Sequence, residues 1–382
     1  MKNAHNFKIP SLILAAAFFV GLGFGTSASA RLSYLVDLNS KTVSYLGTLG
    51  GSFTEAYGVN DAGQVVGWSY SADAQHAFIT GPDGLGMRDL GTLGVGVVSH
   101  AYGINDTGQA VGFSSTAYGE HAFITGPDGM GMRDLGTLGG TSSWAFGVND
   151  AGQVTGWSER AGGARHAFIT GPDGTGMKDL GTLGGAISIA SGINEAGQVV
   201  GYSDTAGGSR HAFITGPNGT GMKDLGTLGG TISIAFDIND AGQVIGWSST
   251  AGDASHYAFI TGPDGMGMRD LGTLGGAGTD NYSEALGINS AGQVVGYSYT
   301  AGGDSHAFIT APDGAGMSDL NSVVHLPPGV ILERATSINN AGQVIAFAIP
   351  EPEISALFLA GLALIGFTAR RKKTSAMALN LG

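Results

Sequence analysis

The chain is a succession of short, β-prone apolar runs separated by glycine-centred turns, and the succession repeats. The segment Gly58-Val59-Asn60-Asp61-Ala62-Gly63-Gln64-Val65-Val66-Gly67 recurs in seven copies, with its Gly-Gln glycine at positions 63, 108, 152, 197, 242, 292 and 342. A second segment, His76-Ala77-Phe78-Ile79-Thr80-Gly81-Pro82-Asp83-Gly84, leads into Met87-Arg88-Asp89-Leu90-Gly91-Thr92-Leu93 and recurs from His121, His166, His211, His256 and His306. Each segment predicts a β-hairpin: Asn-Asp-Ala-Gly and Gly-Pro-Asp-Gly are turn sequences, the glycine free to take positive φ and the proline presetting the bend. Two hairpins in about 45 residues predict four short strands per repeat, the size of a β-propeller blade.

The ends of the repeat array complement each other. The last first-type hairpin, residues 337–347, has no second-type hairpin after it. Residues 33–45 form a diverged second-type hairpin with no first-type hairpin before it, and they run into the familiar Leu46-Gly47-Thr48-Leu49-Gly50-Gly51. The two halves make one blade. The expectation is an all-β, seven-bladed β-propeller over residues 31–349, closed by N-terminal and C-terminal hairpins that share a blade. An open solenoid would instead need polar capping repeats at its ends.

Two apolar stretches break the repeat pattern, one at each end. Lys2 and Lys8, an apolar stretch over residues 11–24 and the small residues Ala28-Ser29-Ala30 predict a secretory signal over residues 1–30, with Ala28 and Ala30 at the cleavage site for signal peptidase. At the other end Pro350-Glu351-Pro352 precedes a mostly apolar run, residues 354–369, and then Arg370-Arg371-Lys372-Lys373. Sixteen helical residues span about 24 Å, short of a hydrocarbon core of roughly 30 Å, which predicts a weak anchor with its basic cluster in the cytoplasm. The tail, residues 350–382, resembles the PEP-CTERM sorting signal. That resemblance implies recognition by an exosortase in a Gram-negative inner membrane, removal of the tail, display at the cell surface or outside it, and a link to exopolysaccharide and biofilm.

Composition removes several function classes. There is no cysteine, which excludes disulfides, thiolate metal sites and thiol catalysis. Hydrophobic residues make up 42% and charged residues 12%, too apolar and too weakly charged for a disordered chain. Without residues 1–30 and 351–382 the balance is 11 basic to 28 acidic residues, which disfavours nucleic-acid binding.

The repeats are similar to the extracellular HAF family through His121-Ala122-Phe123, Asp134-Leu135-Gly136-Thr137-Leu138-Gly139-Gly140 and Gly147-Val148-Asn149-Asp150-Ala151-Gly152-Gln153, with their recurrences. The resemblance implies an exported repeat protein and little about mechanism.

Three recurrent positions invite chemistry, and each has a plainer use. The in-register histidines 76, 121, 166, 211 and 306 suggest a metal ring, but Tyr257 takes that place in one repeat; a bond to a neighbouring blade's backbone is the expectation. The aromatics Trp68, Phe113, Trp157, Tyr202, Trp247, Tyr297 and Phe347 suit sugar stacking, but also the packing of blade on blade. The turn acids Asp83, Asp128, Asp173, Asp264 and Asp313 echo a calcium loop, yet Asn218 replaces one and the ligand density of an EF-hand is missing. No metal, cofactor or catalytic residue is therefore assigned.

Variation collects in the linkers between hairpins, which the meander places on one face, opposite the constant turns. Glu159, Arg160, Arg165, Arg210, Asp280, Asn281 and Tyr282 are the candidate binding residues on that face. The expected function is a non-catalytic surface or matrix protein that binds glycan or protein, with exopolysaccharide or surface proteins as partners. A secreted propeller enzyme acting on polysaccharide, a lyase or glycosidase, is the alternative. The motifs Gly-x-Ser-x-Gly and His-Glu-x-x-His, and a phosphate loop, are absent.

Overall fold

The computed structural model describes residues 32–350, apart from 72–73, 254 and 276–281. The predicted targeting segments lie outside these residues, as do Ala28, Ala30, Asp280, Asn281, Glu351, Pro352, Arg370 and Arg371. The described residues are almost entirely β: 28 strands and one short helix, Leu320–Val323, besides single-turn bends. They form five separate four-stranded sheets and an eight-stranded sheet in which two further four-stranded units meet through one parallel pair, Arg210 with Ile232. Every unit is an antiparallel meander, as two consecutive hairpins require.

One sheet draws on both ends of the array. Strand Leu32–Asp37 pairs along its whole length with strand Gln343–Pro350, setting Tyr34 opposite Ala346 and Asp37 opposite Gln343. Strand Thr42–Tyr45 extends this sheet on one side and Val330–Ile338 on the other.

The first strand of each repeat lies innermost and is tied to the next repeat by an asparagine. The Asn60 side chain donates to the Asn105 carbonyl, Asn105 to Asn149, Asn149 to Asn194, Asn194 to Asn239, Asn239 to Asn289, Asn289 to Asn339 and Asn339 back to Asn60, over 2.8–3.4 Å. Each of these side chains also receives the amide of the glutamine four residues on, so a buried group that would be costly unpaired is satisfied.

Between neighbouring units lie separate, similar cores. Six are built round the phenylalanine of the third strand, for example Phe213 with Ala167, Ile169, Ala190 and Val199, and the core of the shared sheet has Tyr34 in its place. Phe78, Phe123, Phe168, Phe213, Phe259 and Phe308 are all fully buried.

The turn acids have a structural use that sequence reasoning did not see. Asp83, Asp128, Asp173, Asn218, Asp264 and Asp313 take φ of 51–58°, a left-handed conformation that Asp and Asn tolerate. In all but Asp173 the Oδ1 accepts a glutamine side-chain amide from another repeat, as from Gln153 to Asn218 at 3.1 Å and Gln198 to Asp264 at 3.2 Å. Asn218 serves as well as aspartate because an acceptor oxygen is needed and charge is not.

Candidate functional site

The histidines correct one expectation. They do not reach a neighbouring repeat's backbone; each bonds through Nδ1 to the aspartate thirteen residues on in its own repeat. His76–Asp89, His121–Asp134, His166–Asp179, His211–Asp224 and His306–Asp319 lie at 2.7–2.9 Å. Strand pairing brings them together, since the phenylalanine two residues after each histidine lies opposite that aspartate. Tyr257 occupies the histidine's register opposite Ser248. Among the described residues no three metal-ligating side chains converge.

The cavity of interest lies on the axis instead. Successive innermost strands present one side chain each at the place just before the glycine of the Gly-Val-Asn motif: Tyr57, Tyr102, Phe146, Ser191, Phe236, Leu286 and Thr336. With Ile189 and Tyr202 they line a cavity of about 360 Å³. The repeat motif read from the sequence begins one residue later, at Gly58, and so passed over this place. It varies within near-identical surroundings, and that was the available signal.

A second variable place, two residues earlier, holds Glu55, His100, Trp144, Ile189, Ile234, Glu284 and Arg334, and these side chains brace the aromatics. Glu55 accepts the Tyr57 hydroxyl at 2.5 Å and the Trp68 indole N–H at 3.2 Å. His100 stacks on Trp68 with ring centres 4.6 Å apart, and Trp144 stacks on Phe113 at 4.3 Å. Burial depresses His100 to about 4, so the ring is neutral at physiological pH and its Nε2–H donates to Gln75. Burial, with the nearby carboxylates Glu55 and Glu120, holds the Tyr102 hydroxyl protonated.

The candidate linker residues are engaged in this rim. Arg165 lies over Trp157 at 4.3 Å and Arg210 over Tyr202 at 4.8 Å. Arg210 also pairs with Asp204, and Arg160 with Asp179. Glu159 accepts the Thr141 hydroxyl. Tyr282 donates to Glu284 at 2.6 Å and accepts from Tyr297, and His256 packs against its ring.

Deeper along the axis the lining changes to the valine and isoleucine before each asparagine, and beyond them to a ring of polar turns with Asp61, Asp106, Asp150 and Asp240. One carboxyl interrupts the wall between. Asp237 stands where five other repeats carry glycine, and it accepts the amides of Ile238 and Ile288 at 2.9 and 3.2 Å. Enclosure pushes it up to about 6, against the opposite pull of those two bonds. A folded-state value above the unfolded 3.8 means the native state binds the extra proton between roughly pH 6 and pH 4. Stability from this group is therefore lowest above pH 6 and recovers on acidification. The stability of the parent relative to Asp237→Asn should rise by about 1–3 kcal/mol as pH falls from 7.5 to 4. Denaturant titrations of both proteins across that range check it; a difference that is flat with pH rules it out.

Residues 348–372 match the PEP-CTERM protein-sorting motif, a stretch that includes Pro350, Glu351, Pro352, Arg370 and Arg371. The motif marks the chain as an exported protein targeted to an exosortase. No curated protein matches the chain. Among solved structures, a mutant puromycin hydrolase is similar, with a TM-score of 0.51 at 14% identity, over 77% of this chain and 50% of that one. A putative TolB from Agrobacterium tumefaciens gives 0.49 at 11% identity, over 84% and 98%. TolB from Acinetobacter baumannii gives 0.42 at 13% identity, over 62% of each chain. The likeness to the hydrolase concerns fold alone and agrees with a propeller-like, all-β architecture.

Proposed function

We propose that this is an exosortase-processed surface protein whose residues 31–349 form a closed, seven-bladed propeller of HAF-type repeats that binds a glycan without turning it over. Residues 1–30 act as the secretory signal and residues 350–382 as the sorting tail. Closure is supported by the shared sheet of the two chain ends and by the asparagine bonds that return to Asn60. A link to exopolysaccharide follows from the sorting signal and the ligand class together.

The observation that carries the ligand class is the axial cavity. Tyr57, Tyr102, Phe146, Tyr202 and Phe236 converge on it. Aromatic faces stack on the C–H faces of sugar rings, while hydroxyl and carboxylate groups at the rim take sugar hydroxyls. Tyr102→Ala and Phe236→Ala should each weaken glycan binding at least tenfold without lowering the melting temperature much. The full chain, purified in detergent and applied to a glycan array, tests this; an array without signal, or variants that bind like the parent, would count against the cavity.

The enzymatic alternative rests on one cluster, in which Glu284, Tyr282, Tyr297, His256 and Arg334 gather beside the cavity. Burial alone would raise the Glu284 carboxyl, but His256, the Tyr282 hydroxyl, Arg334 and the Tyr297 hydroxyl together hold it below the usual carboxylate range. A carboxylate so stabilised, with its oxygen occupied by Tyr282, is a brace and a poor proton donor. Release of oligosaccharides from any polysaccharide, abolished in Glu284→Gln, would favour the enzyme.

A further inference from the structure

We infer that the glycan taken by the axial cavity is acidic, its carboxylate held by Arg165 at the rim. This rests on the glycan-binding reading above and adds the charge of the ligand.

The argument begins with where the cations are. Arg88, Arg133, Lys178, Lys223 and Arg269 recur on fourth strands, and each reaches the turn of the next repeat, as Arg133 does to the Asp173 carbonyl. Lys41 lies in the tight turn after Asp37, and Arg334 is held over Tyr297. The linker face keeps Arg160, Arg165 and Arg210, all in two adjacent repeats. The sector is mixed in sign, with Asp179, Asp204 and Glu159 among the arginines, so what matters is which guanidinium is left unpaired.

Within the sector the three differ. Arg160 is neutralised by Asp179 at 3.2 Å and Arg210 by Asp204 at 3.1 Å. Arg165 is exposed and has no carboxylate within ion-pair distance among the described residues. Its Cζ lies 4.3 Å from the centre of the Trp157 ring, a cation–π contact that uses no N–H donor and so leaves the guanidinium's donors for a forked carboxylate. Arg210 lies in the same way on Tyr202, and Tyr202 is a wall of the cavity. Arg165 holds the same register one repeat earlier, opposite Glu159 as Arg210 is opposite Asp204, and its charge also reaches the Tyr202 hydroxyl.

On the rest of the rim Arg334 is taken up by Tyr297 and Glu284. Glu55 and Glu120 flank Tyr102, each already accepting an indole N–H. A sugar acid entering the cavity is thus turned with its carboxylate toward Arg165 and away from the glutamates. One unpaired guanidinium suffices for a sugar carboxylate and is too little for a phosphate backbone on a protein of this net charge.

The test is calorimetric titration of the full chain in detergent with tetrasaccharides of galacturonate and mannuronate, the methyl esters of both, and neutral cellotetraose. Acids should bind at least tenfold more tightly than their esters at low salt, and the margin should shrink in 0.5 M NaCl. Arg165→Gln should reduce acid binding to the level of the esters and leave esters and cellotetraose unchanged. Arg165→Lys, which keeps charge but loses the planar fork, should fall between. Equal binding of acids and esters, or an Arg165→Gln variant that still prefers acids, overturns the inference and leaves the glycan-binding reading standing. No binding by any probe overturns both.

Discussion

A chain lacking residues 32–45 should fail to unfold cooperatively and should melt far below the parent. The deletion removes the two strands that complete the sheet of Val330–Ile338 and Gln343–Pro350. Tyr34, Leu35 and Val36 are buried there, Val36 completely, against Val344, Ile345 and Ala346. Burying one large apolar side chain contributes about 1.5–3 kcal/mol, so three approach the roughly 5–15 kcal/mol that a whole domain has to spare. The loss also bares the backbone of strand Gln343–Pro350 as an unpaired edge. An open solenoid would behave differently, since shortening it at one end costs only a terminal interface.

The same geometry supplies a rescue. Leu32 lies opposite Ala348, so the end of the last strand and the start of the first are neighbours. A permuted chain that begins at residue 46, runs to 350 and continues through a short turn into 32–45 should regain the parent's melting temperature. Circular dichroism melts of the three proteins decide it. A deletion variant that melts like the parent would show that the two ends do not depend on one another.

The strand order was legible because it is written in local signals: glycine turns at a fixed spacing, a proline before each second turn, and an orphan half-repeat at either end. What those signals do not encode is the partner of each side chain. His76 and Asp89 share a repeat and recur together five times, yet the pairing appears only once the third and fourth strands are set in register. The glutamine of the Gly-Gln pair looks like a turn residue in sequence; in space it bridges to another repeat's turn, as Gln343 does to Asp83 at 3.3 Å. The aromatic cavity was not readable, because its nine lining side chains come from eight separated strands. Arg165 and Arg210 were singled out by variation alone. Their stacking on Trp157 and Tyr202 depends on side-chain direction across a strand pair, which no repeat pattern records.

Gly201→Ala should destabilise the protein by about 3 kcal/mol or more, an unusually large effect for a single added methyl group. The place is glycine in six repeats, and the reason is proximity, since φ there is ordinary. A Cβ on Gly201 would sit 2.7 Å from the Ala190 Cα and closer still to the Ile189 carbonyl oxygen, both backbone atoms of the adjacent strand. A side chain in the way can rotate; a backbone in a ladder moves only by breaking pairing. The fully buried Phe213 lies opposite Gly201 on the other side, which closes the second direction of escape. The seventh repeat is the informative exception, for it carries Ala346 at this place, opposite Ala335. Its first strand has an extra irregularity between Leu332 and Arg334, beside the residue whose carbonyl would otherwise be struck, and Tyr34 stands where the others have phenylalanine. The extra residue, Glu333, lets the strand make room. Inserting one residue between Ser188 and Ile189 in the Gly201→Ala variant should therefore recover part of the loss. Urea titrations of parent, single variant and insertion variant measure both effects; a Gly201→Ala protein within 1 kcal/mol of the parent would mean that the sheets yield more easily than their packing implies.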